Sequence, residues 1–106
     1  MIKLDDVIYF CKSRNDSWKN ISESRLAEIF LLLKNNIFVF IYNDCVKCVA
    51  VFTEFENEIC FLSITADENI NAYKIIRNLS KYAMKKFNKD ISYMDRQLKK
   101  RYLCHR

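Results

Sequence analysis

A chain of 106 residues without one glycine or proline lacks the two residues that usually punctuate a fold, whose average usage is roughly 7% and 5%. Glycine takes positive φ without steric cost and lets backbone N–H groups close on an anion. Its absence excludes the phosphate-cradling P-loop, the GxGxxG dinucleotide turn and the GxSxG nucleophile elbow. Turns fall to Asn and Asp, the residues next most tolerant of left-handed backbone, and ten asparagines are available.

Hydrophobic spacing supplies the elements between those turns. Leu4, Val7, Ile8 and Cys11 recur at i, i+3, i+4 and i+7 behind Asp5 and Asp6, which predicts a helix over Leu4–Lys12 with acids at its positive end. Ser13–Ile21 is polar around Trp18 and reads as a loop. A second helix, capped by Asn20 or Ser22, carries Leu26, Ile29, Phe30 and Leu33, and Lys34-Asn35-Asn36 is expected to end it with an asparagine in the left-handed cap.

Ile37–Tyr42 (IFVFIY) is β-branched or aromatic throughout, predicting a strand covered on both faces. Asn43-Asp44 turns the chain into a strand at Lys47–Phe55, Glu56-Asn57 turns it again, and Glu58–Thr65 completes an antiparallel meander. From Ile70 to Phe87, a stripe of Ile76, Leu79, Ala83 and Phe87 marks a helix lying on the sheet. Ile91–Met94 follows as a strand that such a crossover places parallel to the third. The fold class is α/β, α+β by some schemes: two helices, a three-stranded meander, a long helix and a fourth strand.

With 51% apolar residues and fifteen aromatics the chain can bury one core. No apolar run approaches the roughly 20 residues of a membrane span, and the N-terminus lacks a signal-peptide layout. A cytoplasmic or intravirion protein without a membrane partner is expected. Residues 1–95, the expected domain, hold thirteen basic and thirteen acidic residues, whereas 96–106 hold five bases and no acid. That tail places Arg96, Lys99, Lys100, Arg101 and Arg106 beside Tyr102, a pattern suited to nucleic acid or another polyanion. Apolar residues on both sheet faces predict a homo-oligomer or a larger assembly.

Catalytic signals are thin. Glu54 and Glu56 at the end of the second strand, Tyr82 on the long helix and Tyr93 on the fourth strand are the acid–base candidates, while His105 lies in the tail. Cys45-Val46-Lys47-Cys48 has zinc-knuckle spacing, but Cys104-His105 is adjacent where a second ligand pair should be spaced, so buried or hairpin thiols are expected and no metal. Any ligand belongs beyond the C-terminal end of the third strand, at Thr65–Asn71, where the long helix presents its first N–H groups.

FVFIYNDCVKCVAVFTEF and ICFLSITADENINAYKIIRNLSKYAMKKF together resemble the hairpin and the acyl-CoA-binding strand, turn and helix of the GNAT acyltransferase superfamily. The resemblance covers roughly residues 4 to 95 and rests on element order. It implies acetyl-CoA held by Thr65, Ala66, Asp67, Asn69, Ile70 and Asn71 in an N-acyltransferase. The family's glycine-rich turn is replaced here by Ala66-Asp67-Glu68-Asn69, whose carboxylates would repel a diphosphate. The expectation is therefore a non-catalytic structural or accessory protein with no cofactor, similar to small domains of tailed bacteriophages, with the acyltransferase as the alternative.

Overall fold

The computed structural model describes residues 2–93 and Leu98. Nine elements follow in order: α1 (Leu4–Arg14), α2 (Asp16–Lys19), α3 (Glu23–Leu32), a 3-10 turn (Lys34–Asn36), β1 (Ile37–Tyr42), β2 (Cys45–Glu54), β3 (Glu58–Ala66), α4 (Ala72–Phe87) and β4 (Asp90–Tyr93). The strands form one mixed sheet of order β1-β2-β3-β4. The first two pairings are antiparallel, and β3 pairs parallel with β4 from Glu58↔Asp90 to Phe61↔Tyr93. The α+β architecture expected from spacing is the one found. Among the described residues, no helix is long and apolar enough to cross a membrane.

Local chemistry sets the boundaries. The Lys3 N–H donates to the Asp6 carboxylate at 2.9 Å and Ser22 Oγ accepts from the Arg25 N–H at 3.2 Å, caps worth about 1 kcal/mol each. Asn71 Oδ1 accepts from the Lys74 N–H at 3.0 Å, so α4 starts at Ala72 rather than Ile70. Asn43 and Asp44 both stand at positive φ, as a two-residue hairpin turn needs, and Asn88 takes the left-handed cap of α4. Those three are the positive-φ positions among the described residues. The left-handed cap expected at Asn35 or Asn36 is not formed; α3 tightens into the 3-10 turn instead. The expected loop at Ser13–Ile21 contains α2, because Asn15 Oδ1 accepts from the Ser17 N–H and nucleates a turn.

Two apolar layers enclose the sheet. On one face Ile76 and Ala83 of α4 pack on Cys48, Ala50, Phe52, Ile59, Phe61 and Ile64, with Leu79, Phe87, Tyr93 and Leu98 around them. On the other, Val7, Ile8, Phe10 and Cys11 of α1 and Leu26 and Phe30 of α3 pack on Val49 and Val51. β1 departs from expectation. It is an edge strand, half-buried over Ile37–Val39 and exposed over Phe40–Tyr42, because α4 crosses to β4 at the opposite edge and extends no cover past Phe40. β4 begins at Asp90, and Met94 lies outside the described residues.

Candidate binding site

Two bulges decide where the polar side chains go. In the β2–β3 ladder Val51 pairs with Ser63 and Phe52 with Phe61, leaving Leu62 as an extra residue. Ile59 and Phe61 face α4, and so do Ile64 and Ala66, whereas Leu62 packs on the α1 side. The extra residue reverses the alternation, so Ser63 and Thr65 turn away from the Phe61 core toward the α1–α2 junction. A second irregularity, between Phe40 and Ile41, leaves Lys47 extra on β2.

At that junction the two hydroxyls meet a side-chain network. Asn15 Nδ2 donates to Ser63 Oγ at 3.2 Å and to Thr65 Oγ1 at 3.0 Å, and Trp18 Nε1 donates to Ser63 Oγ at 3.2 Å. The Trp18 ring meets Phe30 edge-on at 5.6 Å. Burial pushes the Cys11 thiol up to about 11, with a hydrogen bond to the Thr65 side chain opposing the rise. Burial likewise pushes the Cys48 thiol up to about 12. Both thiols are protonated at neutral pH and unsuited to nucleophilic attack.

Asp67 pairs with Arg14 next to this network. Its Oδ1 accepts from the Asn69 N–H at 2.8 Å, and its Oδ2 lies 3.5 Å from Arg14 Nη2 and 3.8 Å from Lys47 Nζ. The Asn69 hydrogen bond first, and the Lys47 and Arg14 charges after it, hold this carboxyl below its ordinary range against the opposing effect of desolvation. Arg14 also sits 4.3 Å from the centre of the Phe10 ring. A cavity of about 590 Å³ is bordered by Arg14, Asn15, Trp18, Ser63, Thr65 and Leu98.

The turn expected to hold a diphosphate spends its donors inside the chain. The Asp67 N–H donates to the Lys47 carbonyl at 2.9 Å, the Asn69 N–H to Asp67, and the Ile70 N–H to the Asp67 carbonyl at 3.3 Å. The Lys74 N–H at the start of α4 is taken by Asn71. Asp67 is nearly buried and ion-paired, so it acts as an internal strut where the sequence suggested a carboxylate directed at the ligand. Thr65 is turned into the cavity network, and Ala66 and Ile70 pack on the α4-side core.

The acid–base candidates do not converge here. Glu54 pairs in register with Ile59 near the start of β3, whereas Thr65 lies near its end opposite Val49. Glu54 therefore stands at the far end of the sheet, 3.4 Å from Lys89 Nζ, and Glu56 is an exposed residue of the adjacent turn. Tyr93 stacks on Phe61 with centroids 5.6 Å apart. Tyr82 is 53% exposed on α4, bordering a shallow apolar groove with Phe38, Phe40 and Leu79. Cys45 is exposed and Cys48 buried, and no cluster of three or more metal-binding side chains occurs among the described residues. Arg96, Lys99, Lys100, Arg101, Tyr102, Cys104, His105 and Arg106 lie outside the described residues.

Arg14, Asn15, Trp18 and Ser63 were not legible as site residues, although Phe61-Leu62 followed by Ser-Ile-Thr was the visible trace of the phase change. The assembled site offers hydroxyls, an indole N–H and a guanidinium, a set that binds polar groups. Its carboxylate is committed to ion pairs, so Ser63 has no side-chain base among the described contacts.

The state of Asp67 gives a pH-dependent expectation. A carboxyl whose folded pKa lies below its ordinary 3.8 stabilises the fold fully above about pH 4 and loses that contribution as pH falls through the lowered value. Asp67→Asn should therefore melt below the natural protein at about pH 5, the gap closing as the pH falls below the ordinary carboxyl value. Thermal melts of both proteins across that range check it; a pH-independent gap would contradict the ionic role.

No protein-family model, curated protein or solved structure matches the chain.

Proposed function

We propose that the chain is a non-catalytic accessory module that associates with a further copy of itself, or within a larger assembly, through the open β1 side of its sheet. The observation that carries this reading is the composition and exposure of β1. Its six residues, Ile37–Tyr42, include no charge and no proline, and Ile41 and Tyr42 are 44% and 60% exposed. An edge strand presents a row of unpaired N–H and C=O groups, and monomeric proteins usually guard it with lysine, proline or a covering element. Here the edge runs beside the apolar groove formed with α4. Strand and groove together form a continuous surface on which a partner strand finds both hydrogen bonds and side-chain pockets.

The turn supports the non-catalytic half of the proposal. An acyl-CoA-dependent N-acyltransferase would need the amides of residues 66–71 for its diphosphate, and three of these are already engaged. The GNAT-like reading rests on element order alone, and a virion-associated setting on the resemblance to small domains of tailed bacteriophages. Contact with nucleic acid through the basic 96–106 tail belongs to the same proposal, on the segregation of its charge.

Sedimentation velocity over a concentration series tests the association. The natural chain should shift toward a dimer or larger species as concentration rises, and Ile41→Lys or Tyr42→Lys should keep it monomeric by placing a charge on the pairing edge. Both substitutions lie at exposed positions and should change stability by less than about 0.5 kcal/mol. A natural chain that stays monomeric throughout, or lysine variants that associate equally well, would defeat the proposal.

A further inference from the structure

The neutral charge balance of residues 1–95 conceals opposite local charges. Residues 37–71 carry six acids against the single Lys47, whereas α4 carries Lys74, Arg77, Lys81, Lys85 and Lys86 and no acid. All five α4 cations are exposed, and none forms an ion pair with a described residue. At 100° per residue, Lys74, Arg77, Lys81 and Lys85 fall within an arc of about 80°. They run as one stripe along the helix for about 16 Å. Lys86 stands beside it, its Nζ 5.6 Å from the centre of the exposed Tyr82 ring.

We infer that this stripe is a nucleic-acid-binding surface, in which Lys74, Arg77, Lys81 and Lys85 take successive phosphates of one strand. The inference rests on the reading that the chain meets nucleic acid, and is independent of the tail and of self-association. One strand of a duplex advances 3.4 Å per phosphate, so a stripe of about 16 Å spans roughly five phosphates. Tyr82, beside the cations, supplies an aromatic face for an unpaired base.

An anionic membrane is the competing polyanion, and α4 is poorly made for it. Interfacial helices bury their apolar face in the acyl boundary, whereas that face of α4, with Ile76 and Ala83 fully buried, is already committed to Phe52, Phe61 and Ile64. Five cations without an ion-pair partner among the described residues also repel one another along one helix, a cost that a bound phosphate chain relieves. Lys85 and Lys86 favour the negative end of the helix, but Lys74 near its start does not. That placement is unexplained by the needs of the helix itself.

Fluorescence anisotropy with a labelled oligonucleotide, single-stranded and as its duplex, tests the inference on the full chain. The natural chain is compared with an α4 variant carrying Lys74→Gln, Arg77→Gln, Lys81→Gln and Lys85→Gln. A second variant has the five tail cations replaced by glutamine. Glutamine keeps the helix propensity of lysine, and thermal melting of each variant confirms the fold. Between about 50 and 200 mM salt, loss of four phosphate contacts should lower the slope of log K against log salt by about 3.

The α4 variant should show that drop whatever the tail contributes, and the tail variant should retain the share of the slope that comes from α4. An α4 variant with the natural slope overturns the inference while leaving the tail reading intact. A tail variant with the natural slope alongside a weakened α4 variant supports the stripe and removes the tail. A natural chain that binds neither oligonucleotide at the lowest salt overturns both. Phosphatidylserine vesicles supply the last arm: α4-dependent retention on vesicles with α4-independent oligonucleotide binding would overturn the inference in favour of the membrane.

Discussion

Phe52→Ala should destabilise the protein by about 3–5 kcal/mol, the largest loss expected from a single substitution here. Phe52 is 1% exposed at the centre of the sheet, where elements distant in sequence meet on one ring. It stacks on Phe38 of β1 with centroids 4.8 Å apart, meets Phe61 of β3 edge-on at 6.5 Å and faces Phe87 of α4 at 6.3 Å. Each aromatic pair adds about 0.5–1.5 kcal/mol beyond area burial, and β2 offers no neighbour free to fill the cavity. A domain of this size has roughly 5–15 kcal/mol in all, so the variant would fold only marginally. Phe40→Ala, at an exposed position on the edge strand, should cost less than about 1 kcal/mol. Urea unfolding of the two variants checks the contrast; similar losses would mean that the α4-side core is not organised around Phe52.

The core was legible because burial follows spacing. Ile76, Leu79, Ala83 and Phe87 could be placed on one stripe of α4 from the 3.6-residue period alone, and the stripe packs on the sheet as that period demands. β1 misled for a related reason. Its six apolar residues read as a strand covered on both faces, but hydrophobicity records only that a surface avoids water. Whether another part of the chain or another molecule covers it depends on sheet order, which places β1 at the edge. The charge distribution was hidden by arithmetic, since a zero summed over 1–95 carries no sign of a helix with five bases and no acid. Asp67 was visible as a residue type and misassigned in direction. Its inward turn depends on Arg14, 53 positions earlier, and on Lys47 of the neighbouring strand β2.

Deleting Leu62 should cost little more than truncating it, because the residue removed is the one the β2–β3 ladder leaves unpaired. Without it Phe52↔Phe61 and Val51↔Ser63 become consecutive pairs of a regular ladder, so Phe61, Ile64 and Ala66 stay on the α4 face and Ser63 and Thr65 stay toward the α1–α2 junction. What is lost is the half-buried Leu62 side chain from the α1-side layer, about 1–2 kcal/mol. The hydrogen bond from Trp18 Nε1 to Ser63 Oγ should remain. Leu62→Ala keeps the phase and loses only part of a half-buried side chain, about 1–2 kcal/mol, with Trp18 unchanged. Urea unfolding followed by the emission of the single tryptophan reads both effects together. If the deletion instead costs several times more than Leu62→Ala and shifts the emission, the bulge does more than hold an extra residue. Its local bend would then be what brings Ser63 within reach of Asn15 and Trp18.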